Sequence, residues 1–197
     1  MKVVINTNDA KFDELVSSAN EVEWHRVLGT GNMCKEPADL YMNLDEDAYN
    51  QIYNTVKPVL INSVIVTLKE ISAPINFIRM NGWNSFLKNE TWEIAGTNNE
   101  TIDKFFRLMH KKIINCADEP GFISAKIISM IINEAFYAKQ DKVSVPAEID
   151  TAMKLGTNHP YGPFEWSLII GKKNIYELLQ KLAATEERYI PASVLNE

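Results

Sequence analysis

Groups able to do chemistry are sparse in this chain, and the spacing of each restricts what it can do. The turn after the apolar opening run reads Asn6-Thr7-Asn8-Asp9-Ala10-Lys11-Phe12. A turn that grips a dinucleotide needs glycines there, so that backbone N–H groups can approach pyrophosphate. This one has none. Asn8 or Asp9 is suited to cap the following helix, and Asp9 and Asp13 put negative charge where a phosphate would compete for the same donors. A Gly-Thr-Gly run occurs at 29–31, but it follows a later strand. Pro37 and the strand-like 38–44 leave no room for the helix such a motif must open, so it reads as a turn. Cys34 and Cys116 show no CxxC spacing and no neighbouring His, as expected of reduced, buried thiols, and no metal site is expected. No Ser/His/Asp or Cys/His grouping offers an activated nucleophile. His159 stands between two glycines and two prolines in 156–163, where it is expected to fix a stiff loop by hydrogen bonding.

The elements that must position these groups fall into two styles. Residues 2–6, 22–28, 38–44, 59–68, 75–80 and 91–96 are rich in Val, Ile and aromatics and read as strands. Helical patterns lie between some of them, at 10–19, 47–56 and 100–113. This alternation predicts a largely parallel sheet with covering helices. After residue 118 strand signals vanish. Ile123, Ile127, Met130, Ile131 and Phe136 recur near a period of 3.6. A second helix is expected from Ser144 as cap, Pro146 in its first turn and Gly156 as its left-handed stop, and a third over 174–187. The expected organisation is an α/β domain over 1–118 and an all-α domain over 119–197.

Asp118-Glu119-Pro120-Gly121 sits on that boundary. Pro120 biases Glu119 away from helix, Gly121 permits close backbone approach, and the two acids are expected near the positive end of the following helix dipole. Apolar residues make up 46% of the 197, enough for a real core, and the net charge of −6 argues against nucleic acid or anionic lipid as partner. No run approaches the length of a membrane span and the N-terminus lacks a secretory pattern, so a cytoplasmic protein is expected.

The helical half carries recognisable text: "DEPGFI" (118–123), "NEA" (133–135), "EIDTAMKLGTNHPYGPFE" (148–165) and "RYIPASVL" (188–195). In order and spacing these closely resemble the C-terminal domain of the 3-hydroxyacyl-CoA dehydrogenases. The resemblance continues weakly upstream, where 75–96 looks like that family's strand, catalytic loop and following strand. It implies a Rossmann-like domain followed by a helical one, NAD as cofactor, acyl-CoA as ligand, and a homodimer formed through the helical domain.

The resemblance also implies site residues. The family's loop carries a His that takes the substrate hydroxyl proton and a Glu that orients it; here Asn81 and Glu93 stand at those positions, and Asn84 matches a family Asn. Gly121 and Ala125 fall in the family's substrate-binding stretch, Ala125 where the family has Asn and Lys126 where it has Arg. The family's Ser near the end of the preceding strand falls near Glu70. A carboxamide does not accept a proton near neutral pH, so Asn81 is unsuited to be the base. The expectation is therefore a dehydrogenase-like protein, a reduced Rossmann-like α/β domain followed by the all-α domain, with redox activity lost or altered. The alternatives are a non-catalytic acyl-CoA-binding or dimeric interaction module, or a different acyl-CoA enzyme using Glu93 as base beside two polarising carboxamides.

Overall fold

Strands form wherever the sequence strings apolar, β-branched residues without interruption, because both faces of the resulting sheet are covered. Seven are found among the described residues: β1 (Lys2–Asn6), β2 (Glu23–Val27), β3 (Leu40–Asn43), β4 (Val59–Asn62), β5 (Phe77–Met80), β6 (Thr91–Gly96) and β7 (Lys112–Asn115). Their order is β2-β1-β3-β4-β5-β6-β7. The run from β2 to β5 is parallel, β6 lies antiparallel to β5, and β7 is parallel to β6. The computed structural model describes residues 1–16, 21–51 and 53–196, and the chain divides into two units, Met1–Phe122 and Ile123–Glu197.

The two faces of the sheet are covered differently. On one, α1 (Asp9–Val16) and α2 (Glu100–Leu108) bring Leu15, Ile102, Phe105 and Phe106 onto Val3, Ile5, Leu40, Leu60, Ile78 and Ile94. On the other, Val4, Tyr41, Val59, Ile61 and Phe77 lie under Met33, Ala48, Tyr53, Leu68 and Ile71. The crossovers on that face are two short 3-10 turns, Thr30–Lys35 and Ala48–Asn50, and the turn-rich segment 63–75. The unit is a Rossmann-like sheet whose second helical layer has been reduced to turns.

Several local expectations are corrected. Among the described residues of 47–56 there is no α-helix, only the 3-10 turn at Ala48–Asn50; the Tyr53 ring lies 5.5 Å from Phe77 and its hydroxyl accepts from Asn43 Nδ2. The fourth strand stops at Asn62 because the Ser63 hydroxyl turns back to Val66 O and Thr67 pairs with the Glu70 carboxylate. The helix expected over 100–113 ends at Leu108, and His110 takes a left-handed φ of 52°. The β-branched pair Ile113 and Ile114 then enters β7 beside Trp92 and Glu93. The helix expected at 10–19 is described only to Val16, since 17–20 lie outside the described residues.

The second unit holds α3 (Ser124–Gln140), α4 (Pro146–Thr157), α5 (Pro163–Ile170) and α6 (Lys172–Ala183). Two polar side chains organise it. Asp150 on α4 accepts from the N–H groups of Phe164 and Glu165, so one helix caps the next. Asn133 on α3 holds the C-terminal segment, donating to Ile190 O and accepting from Ala192 N at 2.8 Å each. Ser144 donates to Glu148 rather than capping, and the helix passes through Gly156 to stop at Asn158, which is left-handed at φ 55°. His159 does not fix its loop by a hydrogen bond through Nδ1, which is buried without a partner; its ring packs edge-on to Trp166 at 5.8 Å. Among the described residues no helix is long and apolar enough to cross a membrane.

Candidate active site

The parallel strands end in a repeated residue. Asn6, Asn43 and Asn62 close β1, β3 and β4, and Asn81 follows β5 directly; all four are at most 5% exposed. Each carboxamide oxygen accepts from the backbone of the turn that leaves a strand. Gly29 N donates to Asn6 (3.0 Å), Asp45 N to Asn43 (3.1 Å), Gly82 N to Asn62 (3.1 Å) and Trp83 N to Asn81 (3.4 Å). The amide nitrogens link the row sideways. Asn6 Nδ2 reaches Asn43 Oδ1 (3.0 Å) and Asp45 Oδ2 (2.6 Å), Asn43 reaches the Tyr53 hydroxyl (2.6 Å), and Asn62 reaches Leu44 O (3.4 Å). Sequence reasoning missed this row, although its signal was present: an apolar run ending in Asn recurs at 6, 43, 62 and 81.

This edge is where doubly wound sheets bind ligands, and here asparagine side chains take up much of its backbone, while the buried Thr7 hydroxyl has no hydrogen-bond partner. The turn after β1 has no glycine. Thr7 is buried, Asn8 Oδ1 takes the Lys11 N–H of the first turn of α1 at 3.0 Å, and Asp9 pairs with Arg26 at the helix start. The Lys11 ammonium reaches across to Leu44 O at 3.0 Å. Burial lowers its pKa, against the pull of Glu46, Asp45 and Glu14. One donor of that turn, the Lys11 N–H, is taken by Asn8, no glycine lets the backbone approach a pyrophosphate closely, and the helix start carries an acid. These residues do not fit a dinucleotide.

The structure brings Asn81 and Glu93 together. Glu93 lies inside β6 and is 8% exposed. Asn81 N donates to Glu93 O at 3.2 Å, and Asn81 Nδ2 to Glu93 Oε2 at 3.4 Å. Asn84 stands on an exposed part of the following loop, which is pinned by buried Trp83, Phe86 and Leu87. Lys111 Nζ gathers the carbonyls of Leu87, Lys88 and Asn89 at 2.9–3.3 Å, and Trp92 Nε1 donates to Leu87 O. An Asn81–Glu93 pair can polarise a carbonyl or hold a hydroxyl, and only its carboxylate can take a proton. Gly121 belongs to the α/β unit, with φ 89° and its N–H on Val64 O at 2.8 Å. Ala125, in α3 of the helical unit, is fully buried.

Asp118 makes its bonds inside the α/β unit. Its carboxylate accepts from Leu68 N and Lys69 N (3.0 Å each) and from Arg79 Nε (2.6 Å). Burial alone would raise its pKa; those donors outweigh it and hold the carboxyl below its ordinary value.

Residues 121–197 match the family model of the 3-hydroxyacyl-CoA dehydrogenase C-terminal domain. Over 89 residues the chain is 44% identical to the 3-hydroxyadipyl-CoA dehydrogenase of Escherichia coli K12, an alignment covering 44% of this chain and 19% of that protein. Residues 121–197 are thus similar to the C-terminal domain of the 3-hydroxyacyl-CoA dehydrogenases. A second relative, the 3-hydroxybutyryl-CoA dehydrogenase of Clostridioides difficile, is 29% identical over 182 residues, 86% of this chain and 65% of the relative. The chain thus spans less than two thirds of either relative's length. Among solved structures it resembles Mycobacterium tuberculosis FadB2, with a TM-score of 0.71 at 14% identity over 98% of this chain and 83% of that one. It also resembles the (S)-3-hydroxybutyryl-CoA dehydrogenase PaaH1 of Ralstonia eutropha, with a TM-score of 0.69 at 18% identity over 99% and 92%. At these identities the likeness is one of fold.

Proposed function

We propose that the chain is a member of the 3-hydroxyacyl-CoA dehydrogenase family that binds an acyl-CoA thioester and does not transfer hydride. The observation that carries the reading is the Asn81–Glu93 pair: the position expected to hold the proton-accepting imidazole holds a carboxamide, oriented by Glu93 Oε2 and Trp83 N. The glycine-free turn after β1, with Asp9 at the helix start, supports it from the cofactor side, since oxidation of a 3-hydroxy group needs a hydride acceptor. The acyl-CoA class comes from the relatives' names. Dimerisation through the helical unit is part of the proposal, favoured by exposed Ile127, Leu155 and Leu168.

Calorimetric titration with acetoacetyl-CoA and fluorescence titration with NADH test this directly. The expected result is micromolar binding of the thioester and no NADH binding below the millimolar range. Tight NADH binding, or steady oxidation of 3-hydroxybutyryl-CoA, would refute it. Burial of Glu93 against Asn81 favours one second reading, in which Glu93 is the base of a different acyl-CoA reaction. Under that reading Glu93→Gln abolishes turnover of short acyl-CoA esters, and unchanged turnover excludes it.

A further inference from the structure

We infer that Arg79 is a positioning residue, setting where the Glu119–Phe122 segment lies against the strand end that carries Asn81. The functional part of this inference rests on the reading that an acyl-CoA is held near Asn81 and Gly121.

The Arg79 side chain is wholly buried in the middle of β5, two residues before Asn81. Its planar fork addresses two distant stretches of chain at once, 63–64 and 118–119. Nε donates to Asp118 Oδ1 at 2.6 Å, Nη1 to Ser63 O (3.0 Å) and Val64 O (3.4 Å), and Nη2 to Glu119 O. The guanidinium lies 4.2 Å from the centroid of the Phe122 ring. The same carbonyl of Val64 takes the Gly121 N–H, and Ser63 N donates to Met80 O at 3.3 Å, so these bonds join Gly121 to the end of β5.

Two further features argue for geometry over bulk stability. Replacing a buried ion pair by well-packed apolar groups is often neutral or stabilising, so a core arginine is a poor stabiliser for its cost. What an apolar side chain cannot do is hold a carboxylate, three carbonyls and an aromatic face in one fixed arrangement. In addition, Gly121 and Phe122 are both left-handed, at φ 89° and φ 50°. That conformation is unfavourable for a phenylalanine and persists only where surrounding contacts impose it. The guanidinium beneath the Phe122 ring is such a contact.

Hydrogen exchange and ligand titration on the full chain, wild type and Arg79→Met, test the inference. In R79M the Gly121 amide is expected to exchange at least tenfold faster while amides of β1 and β4 keep their protection, and acetoacetyl-CoA is expected to bind about tenfold more weakly. Unchanged Gly121 exchange, or exchange that rises equally in every strand, overturns the positioning role. Faster local exchange with unchanged affinity overturns its functional part. Should R79M fail to fold, Asp118→Asn decides, because it removes the charge and keeps the arginine's carbonyl bonds; the same selective loss at Gly121 is required. If the wild type binds no acyl-CoA, the ligand reading falls, and the exchange comparison still judges Arg79.

Discussion

Truncating Asn43 tests whether the row of carboxamides holds the edge of the sheet. Its side chain is fully buried, donates to the Tyr53 hydroxyl and accepts from Asn6 Nδ2 and Asp45 N. Asn43→Ala removes all three bonds. Asn6 Nδ2 keeps the Asp45 carboxylate, and half-buried Asp45 can turn its N–H to water, so neither is fully orphaned. The buried Tyr53 hydroxyl keeps only a 3.5 Å contact to Ala48 O. At roughly 1 kcal/mol for each net hydrogen bond, the loss is about 3 kcal/mol. For a unit of this size about 3–5 °C is lost per kcal/mol, which predicts a Tm lower by about 10 °C. Tryptophan fluorescence is the suitable probe, because Trp24, Trp83 and Trp92 report on the α/β unit and only Trp166 on the other. Asn54→Ala, at an exposed position, is the control and should stay within about 0.5 kcal/mol of wild type. A Tm for N43A within about 2 °C of wild type would show that the row is not a structural unit.

Two other outcomes are expected. Burial pushes the Tyr53 phenol up to about 12, with neighbouring acids adding to the effect and the Asn43 amide opposing it. Because the folded value lies above the unfolded one near 10, the associated stability is present below about pH 10 and is lost as pH rises towards 12. Difference titration at 295 nm against Tyr53→Phe should show one phenol titrating about two units late, and ordinary titration would refute the assignment of its environment. In the helical unit, a Cβ on Gly162 would lie 2.3 Å from Asp150 Cβ and Cγ. Gly162→Ala should therefore displace the carboxylate that caps α5 and cost about 2 kcal/mol or more, read from the Trp166 transition; an unchanged transition refutes the capping role.

The sequence made the central sheet legible where apolar runs were unbroken. It misled where a polar side chain redirected the backbone. Residues 47–56 have helical spacing, yet Asn43 draws Tyr53 onto the sheet and the described residues there hold only a 3-10 turn. Lys112 and Ile113 read as the tail of α2 until the left-handed His110 is known. In the helical half, local text and outcome agree closely because each motif residue acts on its near neighbours. Asp150 caps α5, Gly162 makes room for that carboxylate, and Pro163 starts the capped helix. The site was legible only in part. Asn81 and Glu93 could be paired through the family's spacing, whereas Arg79 gave no sign, since one arginine in an apolar strand does not reveal four partners from two distant segments.

Two departures from the family pattern become one once the row is seen. Loss of glycine after β1 and loss of an imidazole after β5 are separate events in the sequence. In the fold, Asn6 and Asn81 are the outer members of one series, each presenting a carboxamide oxygen to the N–H of a departing turn. A sheet edge that awaits a cofactor must leave donors open, at a cost in buried or strained backbone. An edge closed by asparagine does not, because the carboxamide both accepts and donates and can bridge one turn to the next. The carboxamide at Asn81 thus continues the row of asparagines along the strand ends, and Glu93 is the acceptor that terminates the series.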